Sequence, residues 1–223
     1  MKIIALDISS KNTGWTAMVD GYLVETGDIT PPANADHPEK LHFFRTALLE
    51  LIANHQPAEL CIEDVWAGKN KLTYKILSLY HGVVYQLTAE AQLQLQIMTP
   101  SRFRRLVGAV HNIKLNYAER EEAKKAVGSL VCTIYPELSS SSEDVHDSTG
   151  IAMAAHYWRK KLDEELAVVR AENPKIKSAN RLLALATGRA EDYFKGLEKQ
   201  NAKSVGSPGG KSRDKPRRNK KGL

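Results

Sequence analysis

Apolar residues change period along the first hundred positions of this chain. Residues 2 to 8 form a nearly continuous apolar run with Asp7 at its end, and Trp15 to Val19 and Tyr22 to Thr26 flank Asp20-Gly21, a turn dipeptide suited to positive φ angles. This predicts a three-stranded antiparallel meander. Between Pro38 and Asn54 the apolar positions Leu41, Phe44, Leu48, Leu51 and Ile52 fall at helical spacing; Pro57 stops that helix, and Leu60, Cys61 and Ile62 read as a buried strand that delivers Glu63. Leu72, Ile76, Leu79, Val83 and Leu87 predict a second helix, followed by a strand from Leu93 to Met98 and a short basic helix opened by Thr99-Pro100. Five strands and their helices thus come in the order βββαβαβα, an α/β arrangement with helices flanking a sheet.

From Tyr117 to Val131 an amphipathic helix sets Arg120, Lys124 and Lys125 opposite Ala123, Val127 and Leu130, and the run Ser139 to Ser142 predicts a polar loop. A last core helix opens near Asp144 and passes through Ile151, Met153, Ala154, Ala155 and Trp158. The pattern divides the chain into a domain over 1–160, a helical extension over 161–200 and a tail over 201–223. The Gly, Pro and Lys content of that tail cannot bury enough apolar surface to order itself.

The net charge of +6 changes meaning once it is located. Lys203 to Leu223 carries eight Lys or Arg against the single acid Asp214, which leaves 24 basic and 25 acidic groups on the rest. An electropositive face on the body must therefore arise from local clustering. Two cysteines, Cys61 and Cys132, have neither disulfide-framework nor zinc-site spacing. No signal peptide and no run of roughly 18 apolar residues is seen. The expectation is a cytoplasmic protein with reduced thiols, no membrane contact and no organic cofactor.

Four acids stand at element ends: Asp7 and Glu63 after apolar strands, Asp144 and Asp147 at the opening of the last core helix. An acid ending a core strand risks desolvation unless a cation or hydrogen bonds compensate. Mg²⁺ takes oxygen ligands and keeps several waters, so a few convergent carboxylates suffice for it. A pair of such ions about 4 Å apart activates water and stabilises a leaving oxygen. Asp144 and Asp147, three apart, share a helix face and fit one ion, although acids at a helix start also serve as caps, and a buried salt bridge would equally account for Asp7 or Glu63. Glu143, Asp64 and His146 adjoin these acids and read as solvated neighbours.

Three motifs in order carry a resemblance: Ile4-Ala5-Leu6-Asp7 with Asn12-Thr13-Gly14; Ile62-Glu63-Asp64-Val65-Trp66 with Lys69-Asn70; and Asp144-Val145-His146-Asp147 leading into an Ala-rich helix. Over about Met1 to Trp158 the chain resembles RuvC-type Holliday junction resolvases, in a divergent form of the kind found in bacteriophages. Where that family has Pro and Gly after its first aspartate, this chain has Ile8, Ser9 and Ser10. The resemblance implies a ribonuclease H-like fold with a mixed five-stranded sheet. It implies that Asp7, Glu63, Asp144 and Asp147 are catalytic and bind Mg²⁺ or Mn²⁺. It also implies a homodimer that nicks four-way and other branched DNA in recombination or phage DNA processing, in the bacterial host cytoplasm if phage-encoded.

Arg102, Arg104 and Arg105 form one basic cluster and Lys114, Lys124 and Lys125 another; such groups position a duplex through its phosphates. Arg120, flanked by Glu119, Glu121 and Glu122, reads as a solvated helix face. The resemblance places a base-stacking aromatic at Trp66, beside Lys69, while a core tryptophan is the competing reading. The cationic tail reads as a polyanion tether, a solubility tail or a docking segment. Rival functions are a sugar-kinase-like ATPase, for which the second phosphate loop is missing, an RNA-processing nuclease of the pre-ribosomal type, and a branched-DNA-binding protein without catalysis.

Overall fold

Asp20 and Gly21, with φ of 51° and 90°, fold the chain back between β2 (Thr13–Val19) and β3 (Tyr22–Ile29). β1 (Lys2–Asp7) pairs antiparallel with β2, which sets Asp7 opposite Gly14. The computed structural model describes residues 1–65, 70–115 and 117–205. β4 (Glu59–Glu63) and β5 (Gln94–Met98) join in parallel on the other side of β1, giving the order β3-β2-β1-β4-β5. Parallel neighbours need crossover helices, and α1 (His37–His55) and α2 (Lys71–Glu90) supply them. Asp36 and Glu39 form a capping box on α1, and Asn70 caps α2.

β1 shows no polar alternation because both faces of the sheet are covered. Ile4, Leu6, Leu60 and Ile62 face α1 and α2, whereas Ile3, Ala5, Met18, Cys61 and Met98 face the helices that follow. Those helices are α3 (Pro100–His111), α4 (Arg120–Ile134), α5 (Glu143–Glu172) and α6 (Ala179–Val205).

Two features differ from the sequence expectation. Pro136–Ser140 forms a 3-10 turn that tucks Leu138 into the core, so the serine run is only partly loop. The chain also does not divide at residue 160. α5 runs unbroken to Glu172, since Leu162 and Val169 continue its buried stripe, and α6 returns Leu182, Ala186, Ala190 and Phe194 to the same core. Glu191 of α6 pairs with Arg102 at 3.0 Å and Arg105 at 2.9 Å, and Arg102 lies 4.4 Å over the Trp158 ring. The helical extension is thus a layer of the domain. No helix among the described residues is long and apolar enough to cross a membrane, and Cys61 and Cys132 are both free.

Candidate active site

The parallel register of β1 and β4, in which Leu6 faces Ile62, brings Asp7 and Glu63 out together at one edge of the sheet. The N-terminal half of α5 crosses that edge. Thr16 on β2 holds it, its hydroxyl lying 2.8 Å from Ser148 Oγ and 2.9 Å from Thr149 Oγ1. Gly14 permits this approach: a Cβ there would overlap the backbone of Asp144 and Val145. Gly14→Ala is therefore expected to destabilise the protein by about 3 kcal/mol, the upper range for forced overpacking, and to displace the first turn of α5. Urea denaturation would measure the loss, and an unchanged midpoint would contradict it.

The four acids form one electrostatic unit. Burial, then the charges of Asp147 and Glu63, push the Asp7 carboxyl up to about 8. Burial and Asp147 push Glu63 up to about 7, against the opposing pull of Arg104, Arg120 and Lys124. Asp147, 2% exposed, is also raised by burial, although Lys124 Nζ stands 3.2 Å from its Oδ2. Burial works against the Lys124 charge, but Asp147 and then Asp7 outweigh it and hold its pKa above the ordinary lysine value. The cluster is thus an under-compensated anionic pocket whose one ion-paired cation among the described residues is Lys124. Among the described residues no three acids, histidines or cysteines stand close enough to close on a single ion.

Asp144 is set by contacts that the motif reading missed. Asn12 Nδ2 donates to Asp144 Oδ2 at 2.9 Å and to Asp28 Oδ1 at 2.6 Å, while Thr30 Oγ1 donates to Asn12 Oδ1 at 2.6 Å. Ser142, the N-cap of α5, accepts from Val145 N and donates to Asp28 Oδ1 at 2.8 Å. The Asn12 of the first motif was the available signal. His146 turns away from the acids toward the Leu138 carbonyl, 2.9 Å distant, and Cys132 Sγ, 3.6 Å distant. Asp64 and Glu143 are exposed.

The basic residues divide into three groups. Arg104 and Lys124 act on the acid cluster, and Arg120, exposed on its helix face, also extends its charge to Glu63. Lys114, 4.8 Å over the Tyr117 ring, and Lys125 are exposed. Arg102 and Arg105 are engaged by Glu191. Trp66, Lys69 and the tail beyond residue 205 lie outside the described residues.

A mixed sheet of this order, flanked by helices, is the ribonuclease H-like fold. The family model for the crossover junction endodeoxyribonuclease RuvC matches residues 3–156, and the chain belongs to that family. The RuvC crossover junction endodeoxyribonuclease of Azorhizobium caulinodans is 28% identical over 162 residues, covering 70% of this chain and 90% of that protein. Its counterpart in Paramagnetospirillum magneticum is 27% identical over 162 residues, covering 70% and 92%. The structure of T. thermophilus RuvC in complex with a Holliday junction substrate is similar with a TM-score of 0.60 at 13% identity, covering 72% of this chain and 95% of that one.

Proposed function

We propose that this protein is an endonuclease that resolves four-way DNA junctions, acting in recombination and repair. The observation that carries this reading is the mutually repelling set Asp7, Glu63, Asp144 and Asp147, with Asp147 buried and the other three partly buried, built at the point where β1, β4 and α5 meet. Oxygen-only donors whose charges lack compensation suit a hard divalent cation, Mg²⁺ with Mn²⁺ as substitute. Shared between two such ions, so that no single ion needs more than a pair of them, the four carboxylates would hold the metal, with Lys124 giving up part of its hold on Asp147. Bound there, the ion supplies Lewis-acid stabilisation of a phosphate and an activated water. Arg104 and Arg120, on the rim of the cluster, are suited to orient the phosphate under attack, and Lys114 and Lys125 to hold the flanking duplex. Trp66 and Lys69 keep the stacking and phosphate roles that the resemblance implies. A bacterial cytoplasm, host or own, fits this work.

A labelled four-way junction, offered beside linear duplex, a three-way branch and an RNA hairpin in Mg²⁺, tests the reading. Selective nicking of the junction supports it; selective cutting of the RNA hairpin would assign the protein to RNA processing instead.

Paired nicks call for two sites related by a dyad. We place the dimer contact on α2, where Leu72 is 67% and Leu79 47% exposed, seven residues apart on one helix face. Leu79→Asp is expected to weaken self-association about thirtyfold or more, the effect of losing one interface anchor. Sedimentation would show monomers at concentrations where the parent is dimeric; an unshifted mass would move the dimer contact elsewhere.

A further inference from the structure

Between α3 and α6 lies a cavity of about 350 Å³, walled by Gly108, Ala109, Ile113, Leu115 and Ala202 and rimmed by Arg104, Arg105, Lys114 and Glu198. We propose that it seats one unpaired nucleotide of a branched DNA, the base against the apolar wall and its phosphate on the cationic rim. This rests on the nuclease reading above and extends it to a second contact beside the acids. The far wall is α6, which lies beyond residues 3–156, the part of the chain matched by the family model. The cavity therefore closes only with residues outside the part of the chain that the family model matches.

The seat is a built one. Asn112 ends α3 in the left-handed conformation, with φ of 54°, and Ile113 N donates back to Gly108 O at 2.9 Å. Gly108 makes that turn possible, since a Cβ there would stand 2.5 Å from Ile113 O. The turn leaves Ile113 44% exposed at the cavity. Asn201 Nδ2 donates to Ala109 O at 2.9 Å, and Arg102 and Arg105 both pair with Glu191, so polar contacts tie α6 to α3 while the space stays open. Such a volume stands at the low end for small-ligand sites and suits a single nucleoside.

Charge and position select the occupant. Arg104 lines the cavity and also reaches the acid cluster, where its charge opposes the raised pKa values of Glu63 and Asp147. Its Nε is buried without a hydrogen-bond partner among the described residues, and a phosphate oxygen would relieve that cost. An unstacked base offers a flat apolar body to the wall, and Glu198 supplies an acceptor for base amino groups. A nucleotide displaced at a branch point, held within reach of Arg104, would fix the distance between the branch and the phosphate that is cut.

The test uses the full chain without divalent ion and a junction carrying 2-aminopurine at an unpaired position beside the branch. Binding of the parent and of Ala202→Ser is expected to raise the fluorescence as the base leaves its stack. Ala202→Phe, which fills the cavity from an exposed helix position, is expected to lose that rise and bind about tenfold more weakly, the scale of one stacked base. Ile113→Ser, on the opposite wall, is expected to act in the same direction, so the result does not depend on α6 staying folded. Equal fluorescence and affinity in both wall variants, with junction nicking by the parent in Mg²⁺ intact, would overturn the seat and leave the nuclease reading standing. A signal insensitive to the wall variants but lost on deleting residues 206–223 would assign the base contact to the tail and likewise overturn it. Failure of the parent to nick any branched DNA would overturn both.

Discussion

Asp7→Asn is expected to abolish junction nicking, by at least about a thousandfold, while making the metal-free protein more stable. The loss follows from the several kcal/mol of charge stabilisation that a bound ion contributes and that a neutral amide at the centre of its donor set cannot retain. The gain in stability follows from the environment of the carboxyl. Burial, then the charges of Asp147 and Glu63, push Asp7 up to about 8, and Lys124 offsets only part of that. Folding therefore forces the side chain either to take up a proton or to hold an unfavourable charge. Asparagine keeps the shape and removes that cost, a gain on the order of 2 kcal/mol at neutral pH. Nicking of a labelled junction and thermal unfolding without divalent ion are read on the same preparation. An Asp7→Asn protein that is less stable, with its residual nicking in proportion, would make Asp7 a structural residue and remove it from the chemistry.

What could be read in advance from the chain was local. Asp20-Gly21 announces its hairpin because two positive φ angles are needed within two residues. The apolar run of β1 and the strand before Glu63 announce two-sided burial, and with it the edge where the acids meet. The contacts that finish the site join distant segments, and nothing in the local pattern names the partner. Asn12 meets Asp144 across 132 residues. Lys124 looks like any other cation on an amphipathic helix until α4 packs beside α5 and its ammonium enters the pocket of Asp147. Arg102 and Arg105 read as a phosphate-binding cluster, yet Glu191, on a helix that sequence alone sets apart from the domain, comes back to engage both. The misplaced boundary at residue 160 has the same origin: the buried stripe of Leu162 and Val169 is too sparse to stand out, and it is legible only against Leu182, Ala186 and Phe194 of α6.

The strongest pH dependence is expected from Asp7 and Glu63, with opposite signs in the absence and presence of a divalent ion. Asp7 and Glu63 have folded-state pKa values of about 8 and about 7, against ordinary values of 3.8 and 4.5. Between those limits the folded protein holds protons that the unfolded chain has released, so the contribution of these groups to stability is complete below about pH 4 and is lost as the pH rises through about 8. A divalent ion binds the deprotonated forms and reverses the trend, since it must displace one proton between about pH 8 and 7 and two below that. The ion concentration needed for half-maximal nicking is then expected to rise about tenfold per unit in the upper range and up to about a hundredfold per unit beneath it. Thermal midpoints from pH 4.5 to 8.5, with and without Mg²⁺ at constant ionic strength, separate the two curves. Asp7→Asn identifies the share that belongs to the cluster, because it flattens the metal-free slope and removes the separation. Curves that run parallel with and without the ion would mean that the acids compensate one another through Lys124, Arg104 and Arg120 alone, and that they bind no divalent ion in this range.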